Sequence, residues 1–274
     1  ELAAVVDRLI RAGEPVLLNL NPSVFPTYGD PDPLARLAEP FGIRPRTGTP
    51  VLRDAPGGAA GRVFDPHTVA VPSPDAGPAH PVADAVRGLR TVLPWATPID
   101  LTEAPNARTW PLVEVAGEAA SNAWAESRWL RLWTLDANAR AMTADQPTFQ
   151  PGEDERRDRW TFAAAGQRSS GIGDTRIVVV GSNGWASDGA VTGASQLVDG
   201  RVTARFPGNG VLLDGAIHWL AGLDELIAPG ADARPVATIR PLGASQLSTL
   251  RWMLLGVVPG VVLLTGGAVR AFRG

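Results

Sequence analysis

Side chains that could carry acid–base or nucleophilic chemistry are few in this sequence and widely spaced. It has no Cys, which excludes disulfides, thiolate metal sites, iron–sulfur clusters and a cysteine nucleophile. All 25 basic residues are Arg, so there is neither a Schiff-base lysine nor a phosphate-loop lysine. The three histidines, His67, His80 and His218, are not at metal-ligand spacing. We therefore expect no metal site and no cofactor.

Serine-based catalysis has little support in the sequence either. Ser169 and Ser170 have no His or acid beside them in a recognisable catalytic motif, and no Gly-x-Ser-x-Gly sequence occurs. Gly171-Ile172-Gly173 precedes a Val-rich segment instead of following a strand, which indicates a turn and not a dinucleotide-binding loop. We expect a protein that is not an enzyme. An enzyme in which a histidine meets a serine in the folded chain is the alternative.

Polar and aromatic residues in two turns are better candidates for binding than for catalysis. We take Ser182, Asn183, Trp185 and Asn209 as the candidate ligand or partner surface. The first three follow the Val-rich segment, and Asn209 lies in a Gly-rich turn where we expect it to cap a helix. A second possibility is a groove lined by tryptophans, although their spacing favours packing; these are Trp124, Trp129 and Trp133.

The elements that would position these residues alternate between strand and helix patterns. The clearest strand is the run from Arg176 to Gly181, whose continuous hydrophobicity is typical of a central parallel strand covered on both faces. The other predicted strands are 15–20, 67–71, 111–115 and 160–165, and the predicted helices are 2–10, 33–41, 81–92 and 209–223. This order predicts a three-layer α/β domain with a mainly parallel sheet over residues 1–230.

The C-terminal part contains a long uncharged segment. Trp252 to Val269 comprises 18 residues without a charge, between Arg251 and Arg270. At about 1.5 Å per residue, a helix of this length approaches the thickness of the hydrocarbon core of a bilayer. Trp252 and Arg270 suit interfacial anchors, and Pro259 is tolerated in membrane helices.

We predict a tether over 231–250, one transmembrane helix over 251–270 and a short cytoplasmic tail over 271–274. A buried core helix at the end of the chain is the alternative. Arginines lie on both sides of the segment, so charge counting leaves its orientation open. Because the sequence begins at Glu1 without a Met or a signal peptide, we expect it to be the C-terminal part of a longer protein.

Short motifs follow one another in a recognisable order along nearly the whole chain. They are Ala12-Gly13, His80-Pro81-Val82, Trp110-Pro111-Leu112-Val113, Val180-Gly181, Pro207-Gly208-Asn209 and the segment centred on Pro259. This order resembles the GldG-like auxiliary components of ABC-2 type transport systems, which are gliding-motility-associated proteins. One departure is the turn Gly181-Ser182-Asn183-Gly184-Trp185, where that family often has an acidic turn.

The resemblance implies an extracytoplasmic domain related to class I glutamine amidotransferase-like folds, held by a single span in the inner membrane of the cell. We therefore expect a non-catalytic, membrane-anchored accessory or ligand-binding subunit of an ABC transporter. Its partners would be the ABC-2 permease, the ATPase subunits and membrane lipid. The formal net charge of −3 argues against nucleic acid as a partner.

Two other classes of protein are alternatives to an accessory subunit. One is a hydrolase or an amidotransferase on the same scaffold, although the cysteine nucleophile of such amidotransferases is missing. The other is a membrane-tethered carbohydrate-binding ectodomain, for which the tryptophans are the support.

Overall fold

The structure, a computed structural model, describes residues 1–55, 63–65, 67–71, 80–136, 147–171, 173–193, 195–198 and 201–227, together with the single positions 139, 253, 255 and 259. The chain divides into two compact units. The larger unit comprises Glu1–Ser195 and Ala204–Pro235, and the smaller unit comprises Gln196–Thr203 and Val236–Gly274.

The strands form one four-stranded sheet and several small sheets. In chain order they are β1 (Val16–Asn19), β2 (Ile43–Pro45), β3 (Val51–Ala55), β4 (Val63–Asp65), β5 (His67–Ala70), β6 (Thr91–Pro94), β7 (Ile99–Leu101), β8 (Ala107–Ala116), β9 (Ala123–Ala125), β10 (Arg159–Ser170), β11 (Gly173–Val180), β12 (Ser195–Val198) and β13 (Arg201–Ala204). The central sheet has the order β1-β11-β10-β8, and the small sheets are β2-β7, β4-β3-β9, β5-β6 and β12-β13. Most of the hairpin β12-β13 belongs to the smaller unit.

Most helical segments are short. The α-helices are α1 (Leu2–Arg11), α2 (Pro81–Val86), α3 (Glu118–Ser121), α4 (Leu130–Trp133) and α5 (Pro207–Leu220), and 3-10 helices span Phe25–Tyr28, Ala35–Phe41, Gly184–Ala186 and Asp224–Leu226. The predicted helix 33–41 is of the 3-10 type and contains Pro40, which has no N–H for a helical hydrogen bond. The predicted helix 81–92 ends at Val86, because Gly88 adopts a φ of 73° and β6 begins at Thr91.

The central sheet is mixed, so the α/β class is confirmed but the prediction of a mainly parallel sheet is wrong. β1 pairs with β11 in parallel, whereas β10 pairs with both β11 and β8 in antiparallel. The reason is the short connection between β10 and β11, in which Ser170 lies opposite Gly173. A parallel pair needs a crossover of a dozen or more residues, which two residues cannot make. Gly173 supports the tight turn with a φ of 120°.

Both faces of the central sheet are buried, as the Val-rich segment predicts. Alternate residues of β11 belong to different hydrophobic clusters, with Val178 and Val180 in one and Ile177 and Val179 in the other. The first cluster includes side chains of α2 and α5, and the second includes side chains of α1 and the 3-10 helix Ala35–Phe41. Helical segments therefore cover both faces, and the described part of the larger unit has three layers.

The predicted membrane anchor lies almost entirely outside the described residues. Within the described part of the chain, no helix is long and apolar enough to span a bilayer. Of the predicted span 251–270, only positions 253, 255 and 259 are described, so Pro259 is included and Trp252 and Arg270 are not. The tether 231–250 and the tail 271–274 also fall outside.

Candidate ligand-binding crevice

The first candidate site is a crevice at the carboxyl ends of the two parallel strands. Ligands of α/β proteins characteristically bind outside these strand ends. β1 ends at Asn19, and the Leu20 N–H extends the pairing by donating to the Val180 carbonyl at 2.9 Å. A cavity of about 410 Å³ opens here, which is a volume typical of small-molecule sites. It is lined by Asn19, Leu20, Asn21, Pro22, Ser23, Val24, Asp32, Leu34, Trp129, Leu130, Trp133 and Asn183.

The turn after β11 is held in place by close packing against the segment that follows β6. The Thr97 N–H donates to the Gly181 carbonyl at 2.6 Å. A Cβ atom on Gly181 would lie 2.0 Å from the Thr97 carbonyl oxygen, so only glycine permits this approach. The Ser182 hydroxyl donates to the Pro94 carbonyl at 2.7 Å, and the Trp185 indole N–H donates to Asn19 Oδ1 at 2.9 Å.

Of the four residues predicted as a ligand or partner surface, the structure places only Asn183 at the surface, where it lines the crevice. Ser182, Trp185 and Asn209 are completely buried, and their polar side-chain atoms are hydrogen-bonded to other parts of the protein. These three side chains therefore position the turn, and Asn183 is the one that a ligand in the crevice can reach directly.

Asn209 is not the helix cap that the sequence predicts. Helix α5 begins at Pro207, with Phe206 as its N-cap residue. The Asn209 amide spans three backbone groups instead, accepting from the Val92 N–H at 2.8 Å and donating to the Val92 and Trp185 carbonyls at 2.9 and 2.6 Å. Proline at the first helical position has no N–H to be capped, which is why a helix can start there.

One wall of the crevice is aromatic. Trp129 is buried and its indole N–H donates to the Gly48 carbonyl at 2.8 Å. Trp133 packs edge-to-face on Trp129 and on Trp95, with ring centroids 5.7 and 4.8 Å apart. Trp133 is 38% exposed, and its indole N–H has no hydrogen-bond partner among the described residues. Trp124 is fully buried and lies outside the crevice.

Trp95 supports this wall from a strained backbone conformation. Its φ is 51°, in the left-handed region that a bulky residue rarely adopts and that costs on the order of 1–3 kcal/mol. It is 9% exposed and packs against both Trp129 and Trp133. Strain of this kind persists where the surroundings hold it, and it concentrates at functional sites.

The opposite side of the crevice offers polar groups that the protein does not fully use. Asn21 Oδ1 is buried and has no hydrogen-bond partner within the described residues. Asp32 Oδ1 accepts from the N–H groups of Leu34 and Ala35 at 2.9 and 3.3 Å, which leaves its second carboxylate oxygen for a ligand. Asn183 adds an exposed amide. Unused amide and carboxylate groups beside an exposed indole favour a ligand that can both donate and accept hydrogen bonds.

Two of the three histidines, His80 and His218, occupy structural positions. His80 is buried between Trp110 and Trp219, with ring centroids 5.1 and 4.9 Å away, and its Nδ1 accepts from the Val82 N–H. Burial lowers the pKa of His80 to about 4. His218 lies 3.4 Å from Asp214 on the same helix. No group of three or more metal-binding side chains occurs within the part of the chain that the structure describes.

The sequence did not single out Asn21 and Asp32, which line the crevice, or Trp95, which packs behind its aromatic wall. Asn21 directly follows a predicted strand, so the general rule about carboxyl ends of parallel strands would have pointed to it. Asp32 and Trp95 carry no such local signal, because only the fold brings Asp32 into one cavity with Asn183 and packs Trp95 against Trp129 and Trp133.

No model of a known protein family matches this chain, and no curated protein sequence matches it. The chemistry of the crevice is therefore the basis on which a ligand can be proposed.

Proposed function

We propose that this chain is a non-catalytic ligand-binding domain whose crevice binds a neutral, hydroxyl-rich ligand of the saccharide class. The observation that carries the proposal is the Trp133 ring, which is 38% exposed and lines the same cavity as the polar side chains of Asn21, Asp32 and Asn183. Aromatic rings offer a flat apolar surface to the C–H face of a sugar, while amide and carboxylate groups accept and donate to its hydroxyls.

The charge of the crevice supports a neutral ligand. Among the described residues that line it, Asp32 is the single charged one, and none is Arg or His. An anionic ligand would meet a carboxylate without a compensating cation, which costs affinity. A saccharide is neutral, so it can bind in this crevice without a compensating charge from the protein.

We further propose that the domain is a membrane-anchored accessory subunit of an ABC transporter, outside the cytoplasm and beside a permease and an ATPase. The order of motifs and the uncharged segment from Trp252 to Val269 support this setting. We relate the scaffold to the class I glutamine amidotransferase-like fold. The parallel pair β1-β11 and the three layers support that relation, and the antiparallel strands β10 and β8 are a departure from it.

Binding is tested by isothermal titration of the 274-residue chain with a panel of neutral di- and trisaccharides. The detergent should be of the polyoxyethylene type, because a glycoside detergent would compete. We expect Trp133→Ala to weaken binding about tenfold, the equivalent of about 1.4 kcal/mol. Tyr28→Ala is the matched control, since Tyr28 is 76% exposed and does not line the crevice. Absence of binding by the whole panel, or equal loss in both variants, would contradict the saccharide proposal.

The membrane setting is tested by adding protease to intact spheroplasts that express the chain. We expect digestion of the domain that precedes Arg251, and protection of a reporter fused at Gly274. Full protection of the domain together with an accessible reporter would contradict the proposed topology, without affecting the binding proposal.

A further inference from the structure

A second cavity of about 490 Å³ lies in the larger unit, away from the crevice. Its floor is one face of the two-stranded antiparallel sheet β5-β6, where His67 lies opposite Pro94 and Val69 lies opposite Val92. The alternate residues of this sheet, Thr68, Ala70, Thr91 and Leu93, are buried on the other face. The floor is therefore mostly apolar and is held by the core beneath it.

The rim of this cavity is rich in arginine. Arg90 and Arg205 both stack on the Phe206 ring, with Cζ atoms 5.7 and 5.2 Å from its centroid. Neither has a carboxylate within ion-pair distance among the described residues. Arg53 and His67, which also interact with other parts of the protein, line the cavity too, and the described residues of its lining include no Asp or Glu. Arg90 and Arg205 therefore give this rim a positive charge that no carboxylate of the described residues pairs with, in a chain whose formal net charge is −3.

The backbone that carries these arginines is braced. The Gly208 N–H donates to the Arg90 carbonyl at 2.9 Å, and the Asn209 amide makes the two hydrogen bonds to Val92. A Cβ atom on Gly208 would lie 2.2 Å from Thr91 Oγ1, so glycine is required for this approach. The first N–H of helix α5 is thus already used by the protein. The guanidinium groups, and not the helix N-terminus, supply the positive charge.

We propose that this cavity binds a small phosphomonoester, with its phosphate between Arg90 and Arg205 and its apolar part on Val69, Val92 and Pro94. A guanidinium presents two parallel N–H donors that match two phosphate oxygens, and a pair of guanidiniums matches a dianion better than a monoanionic carboxylate. Stacking on Phe206 limits the motion of both guanidiniums, so less side-chain entropy is lost when the ligand binds. This site is independent of the saccharide crevice.

The test uses three probes on the 274-residue chain in a nonionic detergent: phenyl phosphate, inorganic phosphate and phenol. We expect phenyl phosphate to bind most tightly, inorganic phosphate more weakly and phenol not measurably. Arg90→Gln combined with Arg205→Gln should weaken phenyl phosphate binding at least about tenfold. The control is Arg8→Gln combined with Arg44→Gln, which removes the same charge from two exposed arginines outside the cavity and should leave binding unchanged.

Three outcomes would overturn the proposal. Equal loss in the control pair would mean that net charge, and not the site, attracts phosphate. Unchanged affinity in a variant with Arg90→Lys and Arg205→Lys would mean that the guanidinium geometry plays no part; this variant keeps the charge and serves if the Gln variant does not fold. Binding to phosphatidylglycerol vesicles that needs both arginines, without binding of phenyl phosphate, would assign the site to a lipid headgroup. Saccharide binding in the crevice should be unchanged in every variant.

Discussion

The crevice and the arginine cavity, which is the cavity lined by Arg90 and Arg205, share one short segment of the chain in their linings but differ in chemistry. The crevice has an aromatic wall and neutral amide groups, and Asp32 is the one charged side chain among its described lining residues. The arginine cavity has cations on its rim and no carboxylate among the lining residues that the structure describes. Asn183 lines the first and Ser187 lines the second, only four positions further along the chain.

Trp185 lies between Asn183 and Ser187 in the sequence and supports both cavities. Trp185 is fully buried; its indole N–H reaches Asn19 at the crevice, and its carbonyl accepts from Asn209, which braces the arginine cavity. The buried residues Ser182, Trp185 and Asn209 therefore support the two cavities without lining them. The side chains that can contact ligands belong to other residues, such as Asn183 in the crevice and Arg205 in the arginine cavity.

The largest expected effect comes from removing this shared support. Trp185→Ala leaves a cavity in the core and should lower the free energy of unfolding by about 3–5 kcal/mol, as for other buried aromatic residues. Both binding activities should fall together. Urea titration followed by near-ultraviolet circular dichroism measures the stability, and Tyr28→Ala, at a side chain that is 76% exposed, is the control, with a change within about 1 kcal/mol. Loss of only one binding activity would show that the two cavities do not share this support.

Acidification should lower the free energy of unfolding through His80, a residue that is not among the described lining residues of either cavity. Because burial lowers the pKa of His80 from 6.5 to about 4, the unfolded state binds more protons than the folded state between these values. The free energy of unfolding should therefore fall as the pH falls from 6.5 towards 4, by up to about 1.4 kcal/mol per pH unit. His80→Asn keeps an acceptor for the Val82 N–H and should flatten this dependence. An unchanged slope in that variant would assign the effect to other groups.

A smaller and one-sided effect is expected from Asn209→Ala. It leaves the buried Val92 N–H without its partner, which should cost about 1–3 kcal/mol of stability. Phenyl phosphate binding should weaken several-fold, because Asn209 braces the arginine cavity, whereas saccharide binding should be retained. Asn122→Ala, at an exposed asparagine, is the control and should change neither. If saccharide binding weakened more than phenyl phosphate binding, Asn209 would support the crevice and not the arginine cavity.

The smallest effect distinguishes the cavities by their response to salt. Raising NaCl from about 50 mM to about 0.5 M shortens the Debye length from above 10 Å to below 5 Å. Phenyl phosphate should bind several-fold more weakly at the higher concentration, while the saccharide affinity should stay within about twofold. Calorimetric titrations at both concentrations provide the measurement. An equal loss of affinity for both ligands would contradict the proposal that the crevice binds a neutral ligand.

Much of the fold could be predicted from local sequence patterns, because segments that are buried in the core consist mainly of apolar residues. The continuous hydrophobic run from Ile177 to Val180 predicted a strand buried on both faces, and all four side chains are fully buried. The same run could not reveal strand direction, since a buried strand needs apolar residues whichever way its neighbours point. The two-residue connection after Ser170 decided that β10 runs antiparallel to it.

The two proposed binding sites show most clearly which features the local sequence determines and which depend on the tertiary structure. The sequence by itself determined that cysteine and lysine chemistry are absent and that Asn183 follows a buried strand. Only the tertiary structure decided that Ser182, Trp185 and Asn209 turn inward, and that Arg90 and Arg205 meet at one ring. The physical reason is that exposure and pairing depend on contacts between residues far apart in the chain. Arg90 and Arg205 are brought together by the hydrogen bonds between Asn209 and Val92, which no local pattern records.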